Sequence, residues 1–234
     1  MIRLLVVTDM HYTTPGEHTT VSTRRGDLTI HLLELLQRQN IDCDAVCVLG
    51  DIIDDGYSPN APMRWQEFRT VLEGFRKPLC VLPGNHDRRP DAFAVVFGKP
   101  HPVRVGEYTL VPFWDYYDDA DVCTRDLDAM EETLHSARAA GSVIVLQHST
   151  ILPAIESSYP YTMPQYLDIA SSYTRHGVTL SMSGHFHEGI PAFVDGDVTY
   201  TCFPAFCEAP FYYSVVTVDG DNVTVDTHTL EAFL

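Results

Sequence analysis

Five short apolar runs, each ending in Asp, Asn or His, restrict the possible folds of this chain more than any other feature. The runs read LLVVTDMH, AVCVLGD, LCVLPGNHD, VIVLQH and VTLSMSGHFH. Short apolar runs bounded by turn residues are typical of buried β-strands. In open α/β sheets, ligands bind beyond the carboxyl ends of the strands. We therefore expect the polar residues that follow these runs to meet at one rim.

Helices are predicted between the apolar runs. Apolar residues recur at helical spacing over residues 24–39, 61–75 and 126–140, and a fourth helix is predicted over 164–176. Strands that alternate with helices through short connections indicate a parallel sheet with right-handed crossovers. From residue 191 onward, short strands alternate with Asp-Gly turn signals. No repeat or linker interrupts the pattern, and we predict a single domain over residues 1–234.

The composition is that of a globular protein, with 45% apolar and 20% charged residues among 234. No apolar run approaches the ~20 residues of a membrane span, and the start enters a strand without a signal-peptide core. We therefore expect a cytoplasmic protein. The net charge of −17 disfavours nucleic acid polymers and anionic membranes as partners. The six cysteines form no CxxC pair, and we expect reduced core thiols.

Seven side chains at the ends of the runs form a candidate metal site. They are Asp9, His11, Asp51, Asn85, His148, His185 and His187. This set exceeds the usual ligands of one ion and suits two ions that share a carboxylate. Mixed nitrogen and oxygen ligation favours Mn, Fe, Co or Zn over Mg or Ca. Two such ions can share a hydroxide and clamp a phosphoryl group, and His86 is free to act on the leaving oxygen.

The polar loops receive simpler interpretations. We expect Asp54 and Asp55 to be solvated loop acids, and the aspartate-rich stretch 115–128 to be a solvated loop. The loop 149–163 follows His148 directly. It either forms a wall of the pocket or packs its own aromatic residues at the surface.

The ordered motifs resemble the signature of the calcineurin-like metallophosphoesterases. They are Asp9-x-His11, Gly50-Asp51, Gly84-Asn85-His86-Asp87, His148 and Gly184-His185-x-His187. The resemblance covers residues 9–187, and each motif follows a predicted strand. It implies an α/β fold, a four-layer α-β-β-α sandwich of two mixed sheets flanked by helices. The metal site would lie at the carboxyl ends of the strands.

The resemblance also implies a role for each site residue. The first ion would be held by Asp9, His11, Asp51 and His187. The second would be held by Asp51, Asn85, His148 and His185, so that Asp51 bridges the two ions. His86 would be the catalytic histidine, and Asp87 would orient it. The implied cofactors are two transition-metal ions chosen from Mn, Fe, Zn and Co.

Residues 65–89 are most similar to the bacterial cyclic-nucleotide phosphodiesterase branch of the family. Gln147-His148-Ser149 departs from that branch, which often has a second His followed by prolines. We expect the protein to hydrolyse a small-molecule phosphoester through a metal-bridging hydroxide, and we expect this ester to be a phosphodiester. A phosphomonoesterase uses the same ligands and stays an alternative. A non-catalytic scaffold would lack some of these residues, and a nuclease would need a groove for a polyanion.

Two further features favour a small phosphodiester. Arg88 and Arg89 follow the Asn-His-Asp turn, so one of them can reach a phosphate oxygen with its planar fork. The alternative for each is a solvated or paired arginine. The loop after His148 carries Tyr159 and Tyr161, whose aromatic faces can stack on a base.

Overall fold

The computed structural model describes residues 1–14, 16–17, 19 and 21–233, the last without its side chain. The strands are β1 (Ile2–Val7), β2 (Ala45–Leu49), β3 (Leu79–Leu82), β4 (Val103–Val105), β5 (Tyr108–Pro112), β6 (Tyr116–Tyr117), β7 (Cys123–Thr124), β8 (Ser142–Leu146), β9 (Val178–Ser183), β10 (Ile190–Asp195), β11 (Val198–Cys202), β12 (Tyr212–Asp219) and β13 (Asn222–Thr229). The α-helices are α1 (Thr29–Arg38), α2 (Ala61–Glu73), α3 (Pro90–Phe97), α4 (Leu127–Ala140) and α5 (Tyr166–Arg175). Short 3-10 helices cover Gly26–Leu28 and Glu231–Phe233.

The strands form two large mixed sheets and one short ribbon. The first sheet has the strand order β13-β12-β1-β2-β3, and the second has the order β10-β11-β9-β8-β5-β4. Strands β1, β2 and β3 run parallel, as do β5, β8, β9 and β11. The remaining neighbours in each sheet are antiparallel. Because the parallel strands are neighbours within each sheet, their carboxyl ends collect at one edge.

Alternation of side chains along the strands creates the layers. In β1, Leu4 and Val6 pack into a core between the two sheets, and Leu5 and Val7 pack against helices on the other face. A helical layer containing α1 and α2 covers the first sheet, and Trp65 of α2 is buried in the core between them. This division follows from the two-residue period of a strand.

The second sheet is divided in the same way. Val143 and Val145 of β8 pack with residues of α4 and α5, whereas Ile144 and Leu146 face the core between the sheets. The order of layers is thus helix, sheet, sheet, helix, which confirms the predicted four-layer α/β sandwich. The single domain over residues 1–234 stays a prediction, and the core shared by both sheets supports it.

The predicted helix over residues 24–39 is too long at its start. Regular α-helix begins at Thr29, after one 3-10 turn. The chain at Gly26 passes so close to the first loop that a Cβ there would lie 1.8 Å from the carbonyl oxygen of His11. The backbone N–H of Arg25 also donates to the carbonyl of Cys207 (2.7 Å). These contacts hold residues 25 and 26 outside the helix.

The aspartate-rich stretch 115–128 is not a uniformly solvated loop, which corrects the sequence prediction. It contains the ribbon β6–β7, and the side chain of Asp115 is buried. Arg125 donates to both carboxylate oxygens of Asp115 at 2.6 and 2.8 Å, and its third contact is the hydroxyl of Tyr173 (2.6 Å). The interior of this loop is therefore built around one paired aspartate.

The cysteines have the state expected from the sequence. All six are free and buried. Within the described residues, none of the helices combines the length and the apolar character that crossing a membrane requires.

Candidate active site

The carboxyl ends of strands from both sheets meet at one rim, and all seven predicted ligands lie there. Asp9, Asp51 and Asn85 follow β1, β2 and β3 of the first sheet, and His148 and His185 follow β8 and β9 of the second. Donor atoms of Asp9, His11 and Asp51 lie within 4.8 Å of one another. Those of Asp51, His148 and His185 form a second such group. Asp51 is common to both groups.

One carboxylate oxygen of Asp51 faces both groups. Its Oδ2 lies 3.5 Å from Nε2 of His11 and 3.3 Å from Nε2 of His148. Its Oδ1 accepts the backbone N–H of His86 at 2.8 Å, which fixes the orientation of the carboxylate. Ligand atoms bound to one ion at about 2.0–2.2 Å lie roughly 3.0–3.5 Å from one another. The observed separations match that range.

The other predicted ligands extend these two groups. Nε2 of His187 lies 3.3 Å from Oδ1 of Asp9 and 3.4 Å from Nε2 of His11. On the other side, Oδ1 of Asn85 lies 3.2 Å from Nε2 of His148. The arrangement therefore divides the seven residues as the family resemblance implies. Their roles as metal ligands remain a proposal.

Hydrogen bonds from the surrounding chain orient two of the imidazoles. Nδ1 of His148 donates to the carbonyl oxygen of Leu49 (2.7 Å), and Nδ1 of His187 donates to Oε1 of Glu208 (3.0 Å). Each contact leaves Nε2 as the nitrogen that faces the carboxylates. Such backing of a histidine by a carbonyl or carboxylate is the usual arrangement at metal sites.

His185 provides an independent test of whether the rim fits a metal ion. Its Nε2 is buried and has no hydrogen-bond partner among the described residues. Burial, followed by repulsion from the charge of His148, lowers the pKa of His185 to about 3, so its imidazole is neutral near pH 7. An unsatisfied buried nitrogen is costly unless a ligand occupies the space before it. A metal ion satisfies that requirement.

The pKa values indicate that protons occupy this rim when metals are absent. Burial alone lowers the pKa of His148, but the charge and hydrogen bond of Asp51 raise it to about 9. Burial also opposes protonation of His187, yet its contacts with Asp9 and Glu208 raise the pKa to about 10. Burial raises the pKa of Asp9, and its contact with His187 outweighs this and holds that pKa below the ordinary value.

Unusual backbone conformations concentrate at the rim. Asp9, His11, Asp51 and His185 have φ values of 54°, 43°, 49° and 71°. Non-glycine residues adopt this left-handed region rarely, because it costs of order 1–3 kcal/mol at each position. Sharp turns at the strand ends therefore point these side chains inward instead of continuing the strands.

The contacts of His86 and Asp87 correct one expectation. Nδ1 of His86 lies 2.7 Å from the backbone oxygen of Asp54, so it donates to that carbonyl. Asp87 instead accepts N–H groups from Gly84, Ile52, Ile53 and Trp65. Among the described contacts, Asp87 therefore does not hold the imidazole of His86, and it joins the β2 and β3 loops to α2. Burial and the charge of Asp51 raise its pKa to about 6, and its N–H donors oppose this.

Asp54 is also not a solvated loop acid. It is 5% exposed, and its Oδ1 lies 3.2 Å from Nδ1 of His11. Asp55 is exposed, as expected, and accepts the backbone N–H of Tyr57 (2.9 Å). Sequence reasoning missed Asp54 because its only signal is its place three residues after Asp51 in a loop whose path was unknown.

Two further residues at the rim were missed from the sequence. Glu208 reaches His187 from a loop 21 residues further along the chain. The sulfur of buried Cys207 lies within 4.8 Å of donor atoms of His11 and His187. Neither residue follows an apolar run ending in a polar motif, so the pattern that found the other residues does not include them.

The loop 149–163 forms one wall of the site. Rings of Tyr159 and Tyr161 lie 5.6 and 5.5 Å from the ring of His185. The hydroxyl of Tyr159 accepts from the Asn85 amide (3.2 Å) and donates to Oδ2 of Asp121 (3.1 Å). Of the two alternatives for this loop, the structure thus favours a wall of the pocket. Both rings pack on the site itself, so their stacking on a base stays a prediction.

A cleft in front of His86 and Asn85 opens beside this wall. Its other lining residues are Asp54, Asp55, Tyr57, Arg88 and Asp121. Arg88 is paired with Asp121, lies 5.7 Å from the centroid of the Tyr57 ring, and donates to the backbone oxygen of Asp118 (2.9 Å). Arg88 is therefore a paired arginine in this structure.

Sequence comparison shows relatives with named activities. The chain is 22% identical to the 3′,5′-cyclic adenosine monophosphate phosphodiesterase CpdA of Haemophilus influenzae, over 81% of this chain and 71% of that protein. It is 26% identical to a probable cyclic nucleotide phosphodiesterase of Rhodopseudomonas palustris, over 63% and 57%. The alignment with the second relative thus spans little more than half of that protein.

Solved structures with the same fold are more distant in sequence. A dimetal phosphatase from Danio rerio superposes with a TM-score of 0.77 at 13% identity, covering 97% of this chain and 96% of that one. The purple acid phosphatase PPD1 from yellow lupin gives 0.67 at 15% identity, covering 97% and 51%. At such identities the likeness concerns the fold. A sequence model described as Calcineurin-like phosphoesterase matches residues 2–189.

Proposed function

The chain belongs to the calcineurin-like family of metal-dependent phosphoesterases, and we propose that it hydrolyses small phosphodiesters at a centre of two metal ions. The observation that carries this proposal is the pair of donor groups that share Asp51, with His86 beside them. The named activity of the Haemophilus influenzae relative also supports a phosphodiester substrate.

The residues proposed to hold the ions are the seven predicted from the sequence, with Asp51 between the two. When bound, the ions would supply a nucleophile derived from water and neutralise charge on the phosphoryl oxygens. Four imidazoles with carboxylate and amide oxygens suit Mn, Fe, Co or Zn. The backing of His148 and His187 by Leu49 and Glu208 keeps their Nε2 atoms directed at the centre.

We assign the transfer of a proton to the leaving oxygen to His86. Because its Nδ1 donates to the carbonyl of Asp54, Nε2 is the nitrogen available to a substrate. The same hydrogen bond fixes the orientation of the ring, so that Nε2 points toward the cleft where a leaving oxygen would lie. The N–H of His86 donates to Asp51, which ties the position of the acid to the bridging carboxylate.

The charges of the cleft support a diester over a monoester. Three aspartates line it, and its one arginine is already paired with Asp121. A dianionic monoester would be repelled more strongly by these carboxylates than a monoanionic diester. The same charges, together with the net charge of −17, oppose a nucleic acid polymer. A scaffold without catalysis is also disfavoured, because all seven ligands and His86 are present together.

We propose that the protein is cytoplasmic, and the state of its cysteines supports this location. All six cysteines are free, as expected of a protein kept in a reducing compartment.

The experiment that tests the function compares matched esters under each metal. The chain is stripped of metal and reloaded in turn with Mn, Fe, Co and Zn. We then measure kcat/KM for the p-nitrophenyl ester of thymidine 5′-phosphate, 3′,5′-cyclic AMP, p-nitrophenyl phosphate and 5′-AMP. We expect the diesters to be preferred by at least about tenfold. A tenfold preference for the monoesters contradicts the diester assignment, and inactivity on all four contradicts the proposed function.

A further inference from the structure

A second cavity lies beside the cleft and is not used by the chemistry described above. Its volume is about 420 Å³, which is within the range of pockets that hold small organic ligands. Arg88 and Tyr57 line both the cavity and the cleft. Gly84 forms part of the cavity wall, and a Cβ at this glycine would lie 2.2 Å from Oδ1 of Asp51. The cavity therefore borders the proposed metal centre.

The charge of the cavity is opposite to that of the cleft. Arg89 and Lys99 lie on its wall, and neither makes an ion pair with any residue that the structure describes. Of the two carboxylates on the wall, Asp115 is bound by Arg125, which leaves Asp91. Arg89 and Lys99 are both exposed, and they lie on the wall of one cavity in a chain with 32 acidic and 15 basic residues. They indicate an anionic ligand.

The cavity also has aromatic walls. Trp114 and Tyr116 line it, and the side chain of Tyr116 is largely exposed, at 66%. Trp114 is half-buried and packs on Phe93 (ring centroids 5.2 Å apart), so Tyr116 is the more exposed of the two rings. An exposed aromatic face beside a cation is typical of sites that stack nucleobases, where each stacking contact is worth about 1–3 kcal/mol. An apolar ester group would need no cations, and inorganic phosphate would need no aromatic surface.

We propose that this cavity binds the nucleoside part of the substrate, and that the substrate is a nucleoside phosphodiester carrying a second phosphate. The inference rests on the proposed function. The scissile diester lies in the cleft in front of His86, the base lies against Trp114 and Tyr116, and the second phosphate contacts Arg89 and Lys99. This division matches one acidic and one basic compartment that share Arg88 and Tyr57.

The test uses two esters that release the same p-nitrophenolate. One is the p-nitrophenyl ester of thymidine 5′-phosphate with a free 3′-hydroxyl, and the other carries a 3′-phosphate. We expect kcat/KM to be at least tenfold higher for the phosphorylated ester. In the double variant Arg89→Gln/Lys99→Gln this ratio should fall to about one. The control Arg76→Gln/Lys77→Gln removes the same charge from a loop outside the cavity and should keep the ratio of the wild type.

A binding measurement gives a readout that does not depend on turnover. In calorimetry with the metal-free chain, the 3′-phosphorylated p-nitrophenyl ester, whose 5′ phosphate is a monoanionic diester, should bind the wild type and the control at least tenfold more tightly than the Arg89→Gln/Lys99→Gln variant. Tyr116→Ala removes an exposed ring and should also weaken this binding.

The outcomes separate the two proposals. Equal kcat/KM for the two esters in an active enzyme, or equal losses in the cavity variant and its control, overturns the cavity assignment alone. Absence of hydrolysis of both esters with every metal overturns the proposed function and the cavity assignment with it.

Discussion

At the scale of single residues, the site depends on close packing around its glycines. A Cβ on Gly84 would lie 2.2 Å from Oδ1 of Asp51 and 2.7 Å from Nε2 of His148. A Cβ on Gly184 would lie 2.0 Å from the hydroxyl of Thr8 and 2.7 Å from Oδ2 of Asp9. Real Cβ contacts are longer than this, so only glycine lets these strand ends approach the ligands. The glycines in the motifs are therefore part of the construction of the site.

We expect Gly84→Ala to displace Asp51 and His148 and therefore to lower the content of the second ion. We also expect kcat/KM to fall by at least about 100-fold, because a displacement of a catalytic group by 1 Å can reduce the rate by that factor. Metal analysis and kinetics check this. Gly220→Ala is the control for the added methyl group, because no atom lies within 4 Å of a Cβ at that position. The positive φ of Gly220 (60°) adds backbone strain that Gly84 does not have, which makes it the more demanding control for stability. Normal metal content in Gly84→Ala would show that the loop can move without harm to the site.

His86→Ala should keep both ions, because His86 is not among the proposed ligands. We expect turnover of 3′,5′-cyclic AMP, which has an alkoxide leaving group, to fall by about 10²–10⁴-fold. The loss should be much smaller for p-nitrophenyl esters, whose leaving group needs no proton. Equal losses for both substrates would argue for an electrostatic role of the imidazole.

Metal binding should release protons. The pKa values of about 9 for His148 and about 10 for His187 mean that both imidazoles are protonated at pH 7.5 in the metal-free chain. A ligating nitrogen must lose its proton, so we expect release of about two protons and a metal affinity that increases with pH. Titration calorimetry at pH 7.5 in buffers with different heats of ionisation measures this number. His187→Ala should release about one proton fewer, and an unchanged number would exclude His187 as a source.

At the scale of elements, local motifs could be predicted and contacts between loops could not. The positions of Asp9, Asp51 and His148 were predictable because each follows a short apolar run. The family match confirms the resemblance that the motifs indicate, and the roles of these residues as ligands stay a prediction. Glu208 and Asp54 reach the site through loop paths that no short-range pattern encodes. The α3 helix was not predicted because it is only eight residues long.

Asp87 connects three elements, and its replacement should reveal a structural role. In Asp87→Asn an amide N–H₂ replaces one of the two carboxylate oxygens. It faces either the backbone N–H groups of Gly84 and Ile52 or the backbone N–H of Ile53 and the indole N–H of Trp65. Each buried donor left without an acceptor costs about 1–3 kcal/mol, so we expect the free energy of unfolding to fall by at least about 2 kcal/mol. Urea unfolding of the metal-free chain measures it.

The kinetics of Asp87→Asn distinguish its two possible roles. If Asp87 acts through the fold, the folded and metal-loaded fraction should lose less activity toward 3′,5′-cyclic AMP than His86→Ala loses. A loss as large as that of His86→Ala, with unchanged stability, would restore the expected orienting role.

At the scale of the whole molecule, the proposed metal centre joins the two sheets. Asp9, Asp51 and Asn85 belong to the first sheet, and His148 and His185 to the second. The two-sheet architecture itself was predicted only through the family resemblance. Alternating apolar residues identify strands, but they do not specify which strands share a sheet. The pairing of β1 with β12 is an example, since these strands lie at opposite ends of the described chain.

Because the ions would hold both sheets, chelation should lower thermal stability. An ion present at 100 times its Kd stabilises the folded state by about 2.7 kcal/mol. For a chain of this size that corresponds to a fall in Tm of about 5–10 °C for each ion removed. Calorimetry with and without a chelator measures the shift. Asp51→Ala removes the shared ligand, so it should lose activity and metal and show little further response to the chelator. Two ions per chain and normal turnover in this variant would refute the bridging role.

The pairing of β1 with β12 also has a consequence for folding during synthesis on the ribosome. Ile2 lies opposite Val218, so β1 is synthesised before β2 to β11 and receives its antiparallel neighbour only after all of them. Until then, the backbone N–H and C=O groups along that edge of β1 are unpaired and can pair with other chains. Contacts between such distant residues form slowly, and unpaired strand edges favour aggregation. Completion of the first sheet therefore waits until both β12 and β13 have emerged from the ribosome.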